Sequence, residues 1–308
     1  MKAPRVSDTD AASLRRFPQD IVRIRAANPS PMTYGGTNTY ILGRQDLVII
    51  DPGPDLASHH DAILQEVDGR RVTRILVTHS HRDHSALARR LAESLAAPVL
   101  AFGDSDTGRS AIMNELRPQL NAEGGEGVDR AFQPDETLMD GDDMDLEGDP
   151  IRAIHTPGHM GNHMCFDWRG TLFSGDHVMG WASSLISPPD GDLNDFLTAC
   201  HKLLTVPSET YLPGHGAPIT EPHDRVKELI AHRETRTDAI LRLLETTRAT
   251  PRQLAEKIYS DIPSALLPAA ERNVLAHLIA LYEQGRVGTN GPVNAQGIFS
   301  LSGVGKLL

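Results

Sequence analysis

The chain has 308 residues, of which 39% are hydrophobic, and its 41 acidic and 30 basic residues give a formal net charge of −11. This length accommodates a domain of roughly 200 residues followed by a small one, and no run of 18 apolar residues predicts a membrane span. The charge is uneven, with −14 over residues 1–224 and +3 over residues 225–308. An acidic majority repels a phosphate backbone at long range, which argues against a general nuclease.

Cysteine content and the start of the chain indicate the compartment. Cys165 and Cys200 are too few for a disulfide framework. Residues 1–19 are mixed and polar and lack the apolar segment of a secretory signal, and we interpret them as a loosely held arm. We therefore expect a cytoplasmic protein with reduced thiols.

The first apolar segments predict the opening strands of a sheet. Residues 21–24 and 39–43 predict a hairpin, and residues 47–50 predict a strand that ends in Asp51. Helical spacing over residues 59–67 predicts a helix whose two histidines are surface residues rather than metal ligands.

Potential metal ligands concentrate after the next predicted strand. Ile75-Leu76-Val77 leads into Thr78-His79-Ser80-His81-Arg82-Asp83-His84, so four coordinating side chains fall on the loop that leaves the strand. Imidazole nitrogen and carboxylate oxygen suit zinc or a similar divalent ion, and a loop beyond a strand end leaves positions open to water. The alternative is a polar loop with surface histidines, which the sequence downstream disfavours.

Three further strand-like segments each end in a potential ligand. They precede Thr156-Pro157-Gly158-His159, Ser174-Gly175-Asp176 and Pro213-Gly214-His215. Glycine beside a ligand allows the backbone to turn sharply and approach a metal closely. A repeated pattern of strand followed by ligand, within an alternation of helices and strands, predicts that these side chains build one site.

The order H-x-H-x-D-H, distant His, distant Asp and distant His resembles the metallo-β-lactamase superfamily over most of residues 32–220. The resemblance implies an α/β fold, a four-layer αββα sandwich, with two Zn²⁺ ions per chain. It assigns His79, His81 and His159 to the first metal, Asp83, His84 and His215 to the second, and Asp176 to a bridging position. Asp51 matches the family's early aspartate, which supports the ligands through hydrogen bonds.

From residue 222 onward the pattern changes to helices. Residues 226–244 predict a long amphipathic helix, residues 251–258 a second that begins at Thr250-Pro251, and residues 268–284 a third. A glycine-rich hairpin over residues 286–301 follows. We expect a catalytic domain at residues 1–221 and a small winged-helix-like α+β module at residues 222–308.

The C-terminal module narrows the resemblance. The motif Pro213-Gly214-His215-Gly216, followed by His232-Arg233-Glu234-Thr235-Arg236 and the winged-helix-like tail, is similar to the subgroup of β-lactamase-like protein 2, an endoribonuclease. Glyoxalase II is the other near relative, but its Gly-His-Glu-Tyr motif differs from Gly214-His215-Gly216-Ala217 here.

The resemblance implies a hydrolase that uses a hydroxide bridging two metals as its nucleophile. Two metals about 3.5 to 4 Å apart lower the pKa of a shared water toward about 7. Asp83 would relay a proton as a catalytic residue. Negative charge and the lack of an aromatic stacking platform favour a thioester or another acyl ester as substrate, whereas the C-terminal module favours single-stranded RNA.

Other segments border the predicted site. The loop from Gly180 to Asp195, which contains Trp181, is expected to line the substrate pocket. His163 and His177, close in sequence to predicted ligands, would either contact substrate or serve as hydrogen-bonded scaffold. Residues 104–127 are polar and glycine-rich and predict a mobile insertion over the site.

A different class of function is a ligand sensor whose winged helix binds nucleic acid. The third predicted helix disfavours it, because Arg272 stands almost alone there and a recognition helix is dense in Arg and Lys. Winged helices also serve dimerisation, so a homodimer is a further expectation.

Overall fold

A computed structural model describes residues 14–17, 20–120 and 127–303. Its first sheet has seven strands in chain order, antiparallel up to the fourth strand and parallel from there on. The strands are β1 (Leu14–Phe17), β2 (Ile21–Arg25), β3 (Asn38–Leu42), β4 (Asp46–Ile50), β5 (Arg71–Leu76), β6 (Val99–Ala101) and β7 (Glu136–Thr137). The predicted opening hairpin is therefore present as β2 and β3.

The second sheet has five strands in the order β12-β11-β10-β9-β8. These are β8 (Asp143–Leu146), β9 (Asp149–His155), β10 (Met164–Trp168), β11 (Thr171–Gly175) and β12 (Thr210–Pro213). β11 and β12 are parallel, and the other pairs are antiparallel. Because the chain reaches the ends of β5, β9, β11 and β12 just before the predicted ligands, the two sheets present those loops at one edge.

Side chains of β4 show how the layers form. Leu47 and Ile49 pack against helices α1 (Ala57–Val67) and α3 (Ala88–Leu95), whereas Val48 and Ile50 pack against the second sheet. Successive residues of a strand point to opposite faces, so an apolar run buries both faces of the sheet. Helix α5 (Leu193–Leu203) covers the far face of the second sheet. The predicted αββα sandwich is confirmed.

The C-terminal part consists of three helices and a hairpin. They are α6 (Pro222–Leu244), α7 (Pro251–Ile258), α8 (Leu267–Glu283), β13 (Val287–Thr289) and β14 (Phe299–Leu301). Thr250 and Gln253 form a reciprocal capping box at the start of α7, with distances of 3.3 and 2.9 Å. The first half of α6 packs on the second sheet, and its last turns join the core of the C-terminal module.

Part of the predicted mobile insertion is a packed helix instead. Residues 111–116 form α4 (Ala111–Leu116), which follows the short helix α2 (Arg82–Ser85) and α3 in chain order. Met113, Leu116 and Leu120 are buried in the core of the C-terminal module, which holds this segment by apolar contacts. Residues 121–126 lie outside the described ranges, so covering of the site by this segment stays a prediction.

Two other expectations need correction. Residues 14–17 pair with β2 as a strand, while the rest of the predicted arm up to residue 13 lies outside the described residues. On α1, His59 and His60 are 3% and 7% exposed, so they are not surface residues. His59 Nε2 lies 2.8 Å from Thr39 Oγ1, and His60 Nε2 lies 3.0 Å from Ser94 Oγ, so each ring has a hydrogen-bond partner within the scaffold.

In the part of the chain that the structure describes, no helix combines the length and apolar character needed to cross a membrane. Cys165 and Cys200 are both free and buried. Burial raises the pKa of each thiol to about 12, so both are unreactive as nucleophiles near neutral pH.

Candidate metal centre

Three of the predicted ligands form a first cluster. His79 and His81 lie on the loop after β5, and His159 lies on the loop after β9. His81 Nδ1 is 2.9 Å from His79 Nε2 and 3.0 Å from His159 Nε2. These three nitrogens therefore converge on a single point, as three ligands of one ion would.

Asp83, His84 and His215 form a second cluster. His215 Nε2 lies 3.2 Å from Asp83 Oδ2 and 3.3 Å from His84 Nε2. Asp83 and His84 lie in α2, directly after the first two ligands, and His215 follows β12. A short helix that begins at the metal loop thus brings Asp83 and His84 to His215, and the His84 ring stays next to that of His79, with centroids 4.2 Å apart.

Asp176 lies between the two clusters. Its Oδ1 is 3.3 Å from His215 Nε2 and 3.5 Å from His84 Nε2, while its Oδ2 is 3.7 Å from His159 Nε2. Oδ1 is buried and has no hydrogen-bond partner among the described residues. A carboxylate with one oxygen toward each cluster fits a position shared by two ions.

The outer ring nitrogens reveal which tautomers the histidines adopt. His84 Nδ1 is 2.8 Å from Asp51 Oδ2, His159 Nδ1 is 2.7 Å from the Leu185 carbonyl, and His215 Nδ1 is 3.3 Å from the Gly36 carbonyl. These oxygens only accept hydrogen bonds, so the outer nitrogens carry hydrogens and the inner nitrogens are the ones that can bind a metal ion through their lone pairs. Converging lone pairs repel one another unless a cation lies between them, and this donor set fits two divalent ions.

Ionisation differs between the two clusters. Burial lowers the pKa of His79 and His159 and brings that of His81 to about 3, so the first cluster is neutral. Burial also opposes the charging of His84 and His215, but neighbouring carboxylates outweigh it, so the pKa of His84 lies well above the usual value and that of His215 is about 9. The carboxylates of the second cluster therefore demand a positive charge, which a metal ion supplies.

Asp51 holds the ligand loop in place without facing the clusters. It is 2% exposed, and its Oδ1 accepts a hydrogen bond from the Thr78 backbone N–H at 2.7 Å. Its Oδ2 accepts from the Thr78 hydroxyl at 2.8 Å and from His84 Nδ1. One carboxylate thus fixes both the start of the loop and the ring of His84.

The side chains of two predicted ligands leave no room for a side chain at Gly214. A Cβ atom there would lie 2.6 Å from His84 Cε1 and 2.7 Å from Asp176 Oδ1. The glycine before His215 is therefore required by the close approach of the β12 loop to the second cluster.

His163 and His177 lie beneath the ligands and are both fully buried. His163 Nδ1 is 2.9 Å from Thr156 Oγ1, and its Nε2 accepts a hydrogen bond from the Asp176 backbone N–H at 3.2 Å. His177 Nε2 lies 3.6 Å from Cys200 Sγ. Neither lines the pocket, so their positions correspond to the scaffold alternative of the sequence analysis.

A pocket of about 320 Å³ opens over the two clusters. On the side of the two sheets its wall includes Pro31, Met32, Met179, Trp181 and Leu185. The Trp181 ring stacks on Tyr34 with centroids 5.0 Å apart. The loop after Asp176 thus lines the pocket, as predicted from the sequence. No Lys or Arg is among the described residues that line the pocket.

The opposite wall comes from the C-terminal module, whose contribution to the pocket was not predicted from the sequence. Its residues are Tyr259, Ile262, Leu266, Ala269, Ala270 and Asn273. No local sequence signal marks them, because their place depends on how α8 packs against the rest of the protein. Thr37 was also missed as a functional residue: its hydroxyl donates a hydrogen bond to Asp83 Oδ2 at 3.1 Å.

The fold and the site together define a metal-dependent hydrolase. Residues 32–215 match the metallo-beta-lactamase superfamily, and residues 250–292 match the beta-lactamase associated winged helix domain. The chain belongs to the metallo-β-lactamase superfamily. The resemblance inferred from the ligand motifs is confirmed.

Named relatives cover most of the chain. A beta-lactamase-like protein 2 homolog of Drosophila melanogaster is 31% identical over 291 residues, which span 89% of this chain and 92% of that protein. An atrochrysone carboxyl ACP thioesterase of Aspergillus fumigatus is 27% identical over 281 residues, spanning 85% and 78%. The crystal structure of a metallo-beta-lactamase family protein from Thermus thermophilus has a TM-score of 0.73 at 25% identity, covering 92% of this chain and 98% of that one.

Proposed function

We propose that this protein is a dinuclear zinc hydrolase that cleaves acyl thioesters. The observation that carries the proposal is the pair of donor clusters joined by Asp176 at the floor of an apolar pocket. His79, His81 and His159 would hold one ion, Asp83, His84 and His215 the other, and Asp176 both. Bound zinc would generate a nucleophile from water at neutral pH and polarise the substrate carbonyl.

The chain's own residues position the reaction. Asp83 is partly accessible from the pocket, and the Thr37 hydroxyl fixes its Oδ2 at 3.1 Å. From there Asp83 would take a proton from the attacking water and pass it to the departing thiolate, which returns Asp83 to its carboxylate form. The apolar walls exclude water from the acyl group, which strengthens electrostatic interactions within the site.

The pocket favours an acyl substrate over RNA. A polynucleotide requires cations along its backbone, and the described lining of this pocket contains no Lys or Arg. A 320 Å³ apolar pocket suits one small substrate group. Similarity to a protein named as an acyl carrier protein thioesterase supports the same class.

We further propose a division of the chain between residues 221 and 222. In this scheme residues 1–221 carry the metal ligands, and residues 222–308 complete the pocket as a winged-helix-like module. His163 and His177 act as scaffold, and Trp181 contacts the substrate. The cytoplasmic location and the homodimer stay predictions.

A substrate comparison tests the proposal. Zinc-loaded protein is offered acyl N-acetylcysteamine thioesters, aryl esters and unstructured RNA, with His81→Ala as the disabled variant and His201→Ala as a matched control on the exposed face of α5. We expect thioester hydrolysis that falls by more than about 100-fold in His81→Ala and is unchanged in His201→Ala. RNA cleavage that His81→Ala abolishes, without ester cleavage, would establish the endoribonuclease alternative instead.

A further inference from the structure

A group of arginine and histidine side chains packs behind residues that line the pocket on the side of the C-terminal module. His232, Arg233 and Arg236 lie on one face of α6, and His277 faces them from α8; we call these four residues the cationic face. His277 Nδ1 lies 2.9 Å from the hydroxyl of Thr237, which fixes α6 against α8 at this point. The positive charge of the cationic face comes from Arg233 and Arg236, in a chain with a net charge of −11.

No carboxylate neutralises the cationic face. Among the described residues, no Asp or Glu oxygen lies within 4 Å of a side-chain nitrogen of its four members. Burial, together with a smaller effect of the neighbouring arginines, lowers the pKa of His232 to about 4 and that of His277 to about 3, so both rings are neutral near pH 7. The charges that these groups sense are therefore positive.

Several nitrogen atoms of the cationic face are buried without a partner among the described residues. They are His232 Nδ1, Arg233 Nε, Arg236 Nε and His277 Nε2. Arg233 is 1% exposed, and its other nitrogens donate to the Ser184 carbonyl and, at 3.2 Å, to Asn273 Oδ1. Buried donors without acceptors are rare in folded proteins, and a concentration of them beside a pocket indicates a place where a ligand supplies the acceptors.

Contacts connect the cationic face to the pocket. The Arg236 guanidinium lies 4.7 Å from the centroid of the Tyr259 ring, and Arg233 bonds Asn273; both Tyr259 and Asn273 line the pocket. The pocket lining itself is apolar and contains no Lys or Arg among its described residues. The pocket therefore has an apolar lining, and two arginines lie directly behind that lining on the side of α6.

We propose that Arg236 and His232, positioned by the buried Arg233, bind the phosphate group of a phosphopantetheine arm that carries the acyl thioester. This inference rests on the proposed thioesterase function and names the carrier. An arginine fork matches phosphate geometry, and the neutral His232 ring adds a donor. Both common carriers of acyl thioesters, coenzyme A and acyl carrier protein, present this phosphate.

A pair of substrates that differ only in the phosphate tests the proposal. The same acyl group is offered as the pantetheine thioester and as the 4′-phosphopantetheine thioester to wild type, Arg236→Gln and Arg236→Lys. We expect Arg236→Gln to raise KM for the phosphorylated substrate at least tenfold with kcat unchanged, and to leave KM for pantetheine thioester unchanged. Arg236→Lys, which keeps the charge but loses the fork, should fall between the two.

Arg242→Gln is the matched control, because it removes one positive charge from an exposed position of the same helix. It should behave as wild type on both substrates. Equal increases in KM for both substrates in Arg236→Gln would overturn the proposal, since they would indicate lost packing against Tyr259. A wild type that does not distinguish the two substrates would also overturn it.

Further measurements identify the carrier of the acyl group and test phosphate binding independently of hydrolysis. Acyl-coenzyme A and acyl carrier protein thioesters are compared, and the larger loss of kcat/KM in Arg236→Gln identifies the source of the phosphate. If no thioester is hydrolysed, the proposed function fails, and calorimetric titration with coenzyme A tests the phosphate site alone. Binding at least tenfold weaker in Arg236→Gln than in wild type supports the site, and no binding to wild type refutes it.

Discussion

Replacing Ala269 with leucine tests the role of the C-terminal module in substrate choice. Ala269 lies in the first turn of α8, is half-buried and lines the pocket. Leucine adds three carbon atoms to the wall of a pocket of about 320 Å³. Because Ala269 is not fully buried, the larger side chain extends into the pocket rather than into the core, and the fold should be preserved.

The magnitude follows from the substrate surface that leucine displaces. If the three added carbons exclude three methylene groups of a long acyl chain, the loss is about 0.8 kcal/mol for each, or about 2.4 kcal/mol in all. This corresponds to a decrease of about 60-fold in kcat/KM. A short acyl group that does not reach the wall should lose almost nothing.

The assay is kcat/KM across a series of N-acetylcysteamine thioesters from acetyl to dodecanoyl. Ala265→Leu is the matched control, because it makes the same change at an exposed position shortly before Ala269 and outside the pocket. We expect Ala269→Leu to depress only the longer substrates and Ala265→Leu to depress none. A uniform loss across all chain lengths, or equal effects of the two variants, would refute the reasoning.

Three other changes test separate parts of the account. Asp51→Asn should weaken zinc binding about 10- to 100-fold, because the amide cannot accept all the hydrogen bonds from Thr78 and His84; chelator competition measures this, and unchanged affinity would contradict it. Gly214→Ala should displace His84 and Asp176 and leave the protein with one zinc ion or none, so two retained ions in metal analysis would show that the close approach at Gly214 is not required. Burial holds the pKa of His277 in the folded protein at about 3, whereas its value in the unfolded chain is 6.5. As pH falls below 6.5, the unfolded chain therefore takes up a proton at His277 that the folded protein does not, and the free energy of unfolding decreases. Between about pH 7.5 and 5.0 wild type should lose about 2 kcal/mol more than His277→Leu in urea unfolding, and parallel pH profiles would exclude this effect.

Local patterns in the sequence predicted the parts of the site that depend on local structure. Asp51, His79 and Asp176 each follow a short apolar strand, and a strand end fixes the position of the next side chain within a sheet. The side-by-side arrangement of those strand ends then brings the ligands together. The αββα layers could be predicted for the same reason, since apolar runs such as residues 47–50 bury both faces of a strand.

Contacts between distant segments could not be predicted in this way. His59 and His60 carry helical spacing, but only the positions of Thr39 and Ser94 reveal that both rings are buried. Met113 and its neighbours pack on a module that lies far later in the chain, so a polar composition concealed a packed helix. The pocket wall at Ala269 likewise depends on how α8 packs against segments that are distant in the sequence.

The metal content of the pure protein, measured together with its hydrolytic activity, tests the central claim most directly. Wild type should contain two zinc ions per chain, lose thioester hydrolysis when a chelator removes them, and recover it when two equivalents of zinc are returned. Full hydrolysis by protein without bound metal would contradict the account. So would a wild type that binds no divalent ion at the seven predicted ligands, which are His79, His81, Asp83, His84, His159, Asp176 and His215.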